Sequence, residues 1–128
     1  MKFRLITLVL GAMTAALMPA AALAHPKLVS AAPAANATVA QTSAVKLTFS
    51  ERLMPKLSNA TLTMTGMPGM TDHPAMKMAG VTSAVSADGK SIVLTSAKPL
   101  PAGAYRVDWV IVGADTHRIT GKYTFSVS

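Results

Sequence analysis

Cysteine is absent from all 128 residues. Disulfides are therefore excluded, and packing alone must hold the fold. No thiolate is available as a metal ligand or a nucleophile, so any soft-metal ligand must be a methionine thioether. Aromatic residues are scarce, at 5% of the chain. The formal charge is +7, but beyond Lys2 and Arg4 the basic residues are scattered between positions 27 and 122, with no run or stripe. Nucleic-acid binding has no footprint here beyond the high isoelectric point. Long hydrophobic runs are missing as well. The apolar stretch at residues 5–18 is shorter than the ~20 residues a membrane-spanning helix needs. No internal repeat is visible.

That stretch follows the basic pair Lys2 and Arg4 and leads through Pro19 to Ala22-Leu23-Ala24. A basic segment, an apolar segment and an A-x-A site in this order make a secretory signal. The expected organisation is a cleaved signal at 1–24 and one domain at 25–128, large enough for a single modest core. Cleavage after Ala22 is the rival and would leave Leu23 first. Cleavage after Ala24 leaves His25 first, with a free α-amine beside its own imidazole. An α-amine titrates near pH ~8, so it yields its proton to a metal readily, and the two nitrogens can chelate one ion.

The remainder reads as strands. Residues 27–30 suggest a short first strand. Val45, Leu47 and Phe49 alternate with Lys46, Thr48 and Ser50, as in a half-buried strand. Residues 60–64 alternate again. Residues 81–86 and 91–95 flank Asp88-Gly89, a hairpin turn signal. After a turn at 99–103, Tyr105, Val107, Trp109 and Ile111 share one strand face, and Tyr123, Phe125 and Val127 share another in a last strand at 121–127. Only residues 51–58 have room for a helical turn. The pattern predicts an all-β antiparallel sandwich or small barrel with Greek-key connections.

Residues 65–80 break the rhythm with Gly66, Pro68, Gly69, Pro74 and Gly80. A loop this long in so small a domain has a function or is disordered. It gathers Met67, Met70, Met76 and Met78, with Met64 at its edge and His73 in its midst. Clustered methionines ordinarily fill cores. Here Gly and Pro prevent a regular element from burying Met67 and Met70 together, and thioethers with an imidazole suit Cu(I). Met64, at a strand end, and Met78 are equally open to a core role. A second constellation is Asp115-Thr116-His117. Residues i and i+2 of an extended segment face the same way and can reach one ion; alone, the pair also fits a turn cap beside a surface histidine. With His25 the set offers an amine, two imidazoles and a carboxylate, which suits tetragonal Cu(II). Zn(II) is the competitor, with its preference for tetrahedral sites.

The chain resembles the CopC family of periplasmic copper-resistance proteins over essentially all of residues 25–128. The resemblance is carried by HPKLVSAAPAANATV, KLTFSERL, MTGMPGMTDHPAM and LPAGAYRVDWVIVGADTHRITGKYTFSV. It implies a cupredoxin-like or immunoglobulin-like Greek-key β-sandwich in the periplasm. It implies Cu(II) on His25, Asp115 and His117, with Glu51 orienting the histidine or the N-terminus. It implies Cu(I) on Met64, Met67, Met70 and Met76, with His73 a further candidate. The implied partners are an inner-membrane CopD-type copper transporter and a periplasmic multicopper oxidase.

The expected function is a copper carrier rather than an enzyme, not membrane-spanning after cleavage. Oxidation favours the N,O site and reduction the thioether site. The rival is a monooxygenase using a histidine brace, in which an N-terminal histidine and a second histidine hold copper. Asp115 argues against it, because it would fill a coordination position that oxygen chemistry needs open. No flat aromatic surface for a polysaccharide is evident in the sequence either.

Overall fold

The computed structural model describes residues 25–70 and 74–128; the segment 1–24 expected to be a signal, and His73, lie outside these. Nine strands form among them: β1 (Leu28–Ala32), β2 (Thr38–Val39), β3 (Ala44–Phe49), β4 (Asn59–Gly66), β5 (Met76–Lys77), β6 (Val81–Val85), β7 (Ser91–Ser96), β8 (Gly103–Val112) and β9 (Arg118–Val127). No helix among the described residues is long and apolar enough to cross a membrane. The strands make two sheets, ordered β1-β3-β7-β6 and β2-β9-β8-β4-β5. β3 beside β7 and β4 beside β8 are neighbours distant in sequence, as Greek-key crossovers require. The all-β sandwich expected from the alternation is the fold observed.

Alternation dictates which side chains meet between the sheets. Val45, Leu47 and Phe49 of β3, Ile92 and Leu94 of β7, Tyr105, Val107 and Ile111 of β8, and Tyr123, Phe125 and Val127 of β9 are all buried. Tyr105 stacks on Phe125 with ring centroids 5.4 Å apart. The Tyr123 hydroxyl donates to the Pro33 carbonyl at 2.9 Å, tying β9 to the segment after β1. Burial without an ionic partner raises the pKa of Tyr123 to about 12.

Four expectations need adjustment. β2 and β5 have two residues each, too few to carry a period; β2 also pairs parallel to β9, so the second sheet is mixed. β9 begins at Arg118, three residues before the alternation became clear. Within residues 51–58 the room for a helical turn is used only at 55–57, where the Leu57 N–H donates to the Met54 carbonyl at 3.1 Å, while Leu53 bridges to Gly113. Trp109 is only half-buried. Its indole lies across Gly121, its register partner, so closely that a Cβ there would fall 2.2 Å from a ring carbon.

Candidate metal centre

The two ends of the β8–β9 ribbon carry the two candidate sites. At one end the chain leaves β8 at Val112 and turns through Gly113, Ala114, Asp115 and Thr116 into β9. The Thr116 N–H closes the turn on the Gly113 carbonyl at 3.0 Å. The Asp115 Oδ1 accepts the His117 N–H at 3.2 Å. Thr116 has φ of 65°, a left-handed conformation that is costly for a β-branched residue. Asp115 and His117 thus converge through a strained turn and not through the extended segment expected for D-x-H.

His25 arrives from the opposite sheet. Pro26 is buried, and it sits where a Cβ on Gly113 would be, 2.7 Å from the proline Cγ. A side chain at 113 would push the N-terminal segment away. Proline also holds the preceding residue extended. Next, the Lys27 N–H donates to the Ser50 Oγ at 2.9 Å, and the Ser50 N–H donates to the Lys27 carbonyl at 2.8 Å. These contacts aim the His25 ring at the turn.

The His25 Nδ1 is 2.5 Å from the Asp115 Oδ2. The His117 Nδ1 is 3.3 Å from the same oxygen. The ring centroids are 5.1 Å apart. Both imidazoles are largely exposed, whereas the Asp115 side chain is 8% exposed. Its Oδ2 is buried, with no donor in hydrogen-bonding geometry. Burial pushes the Asp115 pKa up. The His117 backbone N–H, the close His25 ring nitrogen and the charge of both imidazoles outweigh that and hold it below the ordinary carboxylate value.

The donor set fits a small divalent ion. One ligand atom from each residue lies within 4.8 Å of the others. Adjacent ligands ~2.0 Å from a metal at right angles stand roughly 2.8 Å apart, between the two nitrogen–oxygen distances found here. A buried carboxylate oxygen lacking a hydrogen bond gains its missing partner from such an ion. Glu51 follows Ser50 in the chain, but its carboxylate makes no ion pair or hydrogen bond with either imidazole among the described residues. Pro26 and Gly113 escaped the sequence reading. The only signals for them were the proline after His25 and the glycine two residues before Asp115.

At the other end of the ribbon, Met67 and Met70 bracket a tight turn. The Met70 N–H donates to the Met67 carbonyl at 2.9 Å, and the Met67 N–H donates to the Met70 carbonyl at 3.4 Å. Pro68 sets φ at the first corner and Gly69, at φ 76°, takes the second. Residues paired this way project to one side, and both thioethers are exposed. Met76, also exposed, pairs with Met64 across β5 and β4. Met64 itself is 5% exposed and belongs to the core, and Met78 packs partly against that core. The structure therefore brings Met67 and Met70 together at the surface, puts Met76 beside β4 and directs Met64 inward.

A profile of the CopC domain matches residues 28–128. The chain belongs to the CopC domain family. It is 49% identical over 125 residues to copper resistance protein C of Xanthomonas campestris pv. juglandis, covering 98% of this chain and 97% of that one. It is 53% identical over 106 residues to copper resistance protein C of Escherichia coli, covering 83% of each. Among solved structures it matches PcoC, a methionine-rich copper resistance protein from Escherichia coli, with a TM-score of 0.74 and 50% identity, covering 82% of this chain and all of that one. The CopC resemblance and the sandwich read from the sequence thus stand.

Proposed function

We propose that this CopC-family chain is an exported copper-binding protein of copper resistance that carries Cu(II) and Cu(I) at separate sites and exchanges them with partners. The observation that carries the reading is the approach of two imidazole Nδ1 atoms to one buried, unpartnered Asp115 oxygen. Cu(II) takes His25, Asp115 and His117, and the His25 α-amine joins once the signal is cut after Ala24. In the uncut chain that nitrogen is a peptide nitrogen and cannot serve. Cu(I) takes Met67, Met70 and Met76, with His73 as a further ligand; Met64 joins only by turning out of the core. The names of the relatives support a role in copper resistance.

The proposed setting is the periplasm. The proposed partners are a CopD-type inner-membrane copper transporter and a multicopper oxidase. Binding, not catalysis, is the proposed role. Asp115 fills a position that a histidine-brace monooxygenase would keep open for oxygen, and Trp109 lies against Gly121 instead of forming a flat platform.

Intact-mass measurement of the exported protein followed by copper titration tests this. The expected result is a chain beginning at His25 that binds one Cu(II) tightly and loses affinity sharply when a residue is added before His25. Equal affinity in the extended form overturns the chelate. Met67→Leu with Met70→Leu should abolish Cu(I) binding and spare Cu(II); loss of both together overturns the two-site scheme.

A further inference from the structure

The outer face of the five-stranded sheet carries an excess of positive charge, with Lys77, Arg106, Arg118 and Lys122 against a single carboxylate. Register sets Lys77 beside Thr63, Thr63 beside Arg106, and Arg106 beside Thr124. The next rows are Thr61–Asp108–Lys122 and Asn59–Val110–Thr120, with Arg118 opposite Val112. Paired residues share a face, and alternate residues repeat it. All of these therefore lie opposite the core-facing Tyr105, Val107, Tyr123 and Phe125. Asp108 is the one carboxylate in these rows, and the Arg106 Nε already holds it at 2.9 Å. The outward positions of the other sheet are Ser30, Ala32, Lys46, Thr48, Val93, Thr95, Thr82 and Ala84, where Lys46 is the single charge.

The basic face also joins the two candidate sites. Arg118 follows His117 at one end, and Lys77 follows Met76 at the other. We propose that this face docks an acidic protein partner, which then lies against the metal centre and the methionine turn at once. The chemistry of the face selects that occupant. A second copy would set like charges against each other, which is repulsive. A bilayer needs an exposed apolar anchor beside the basic residues, and the large aliphatic side chains in these rows are half-buried Val110 and buried Val112, with no aromatic among them. Threonine rows and long cations suit a wet, transient protein contact steered by charge. The docking does not require metal, so it extends beyond the copper reading.

Nuclear magnetic resonance titration of the metal-free exported chain with short poly-L-glutamate tests the proposal. Backbone shifts should concentrate on β8, β9 and β5 and vanish at high salt. Lys77→Glu with Lys122→Glu should weaken binding at least ~10-fold, whereas Lys46→Glu with Lys98→Glu, an equal change in net charge, should weaken it less than ~2-fold. Should charge reversal disturb folding, Lys122→Gln with Arg118→Gln makes the same comparison more gently. Equal weakening by the two pairs overturns the proposal, because net charge alone would then explain binding. So does tighter, face-dependent binding to phosphatidylglycerol vesicles than to poly-L-glutamate. Because docking is read without copper, failure of the metal sites leaves this outcome intact.

Discussion

Single residues decide whether the metal centre is assembled before an ion arrives. Gly113 is the clearest case, since any side chain there collides with Pro26 and displaces His25. Gly113→Ala is expected to lower Cu(II) affinity about tenfold or more, with little change in circular dichroism, because misplaced ligands lose affinity before the sandwich loses packing. Competition titration against a chelator measures it. Thr116 gives the opposite expectation. Asn tolerates the left-handed region better than Thr, so Thr116→Asn should stabilise the metal-free chain by about 0.5–1 kcal/mol, read from the urea midpoint. Protons compete with the ion for every ligand, so Cu(II) affinity should fall as pH drops from about 8 to 5; a flat isothermal-titration profile would contradict the ligand set. At this scale the residue types of the candidate N,O cluster were legible in the sequence, and their geometry was not. His25 and the D-x-H pair stood out by chemistry. The turn that joins Asp115 to His117, and the Pro26–Gly113 contact that aims His25, depend on neighbours from distant strands and have no local pattern.

Strands were legible to the degree that they alternate. β3 buries every second residue over all six positions and β8 over its first six, so their faces were readable directly; in β7 only Ile92 and Leu94 keep the period, because Ser91 is buried as well. β2 and β5 owe their existence to the longer strands they pair with, β9 and β4. Residues 65–80 were read as one long loop, yet a tight Pro68-Gly69 turn and β5 lie within it. Two consequences can be measured for β9. Any side chain at Gly121 meets the Trp109 indole, so Gly121→Val should cost about 1–3 kcal/mol and change tryptophan fluorescence of the folded state. Tyr123 favours its neutral form in the fold, with a pKa raised to about 12. Its contribution is complete below the unfolded tyrosine value near 10 and is lost as pH rises through about 12. Tyr123→Phe should therefore flatten the alkaline loss of stability, at a cost near neutral pH of about 1 kcal/mol for the lost hydrogen bond to Pro33; urea midpoints across pH 8–12 test both.

Over the whole molecule, one ribbon sets the distance between two chemistries. β8 leaves the methionine end at Gly103 and reaches the metal centre just beyond Val112, and its ten residues extend for roughly 30 Å at ~3.3 Å each. Screening at physiological ionic strength fades over ~8 Å, so an ion at one end exerts almost no field at the other. The occupancies of the two sites should therefore be statistically independent. Each binding curve should keep its midpoint whatever the other site holds, and the chain should pass through four loading states with no cooperativity. Under the proposed two-site scheme, copper that changes oxidation state and must change sites has no short route inside one molecule; it should travel by release and recapture, at a rate that depends on how many copies are present.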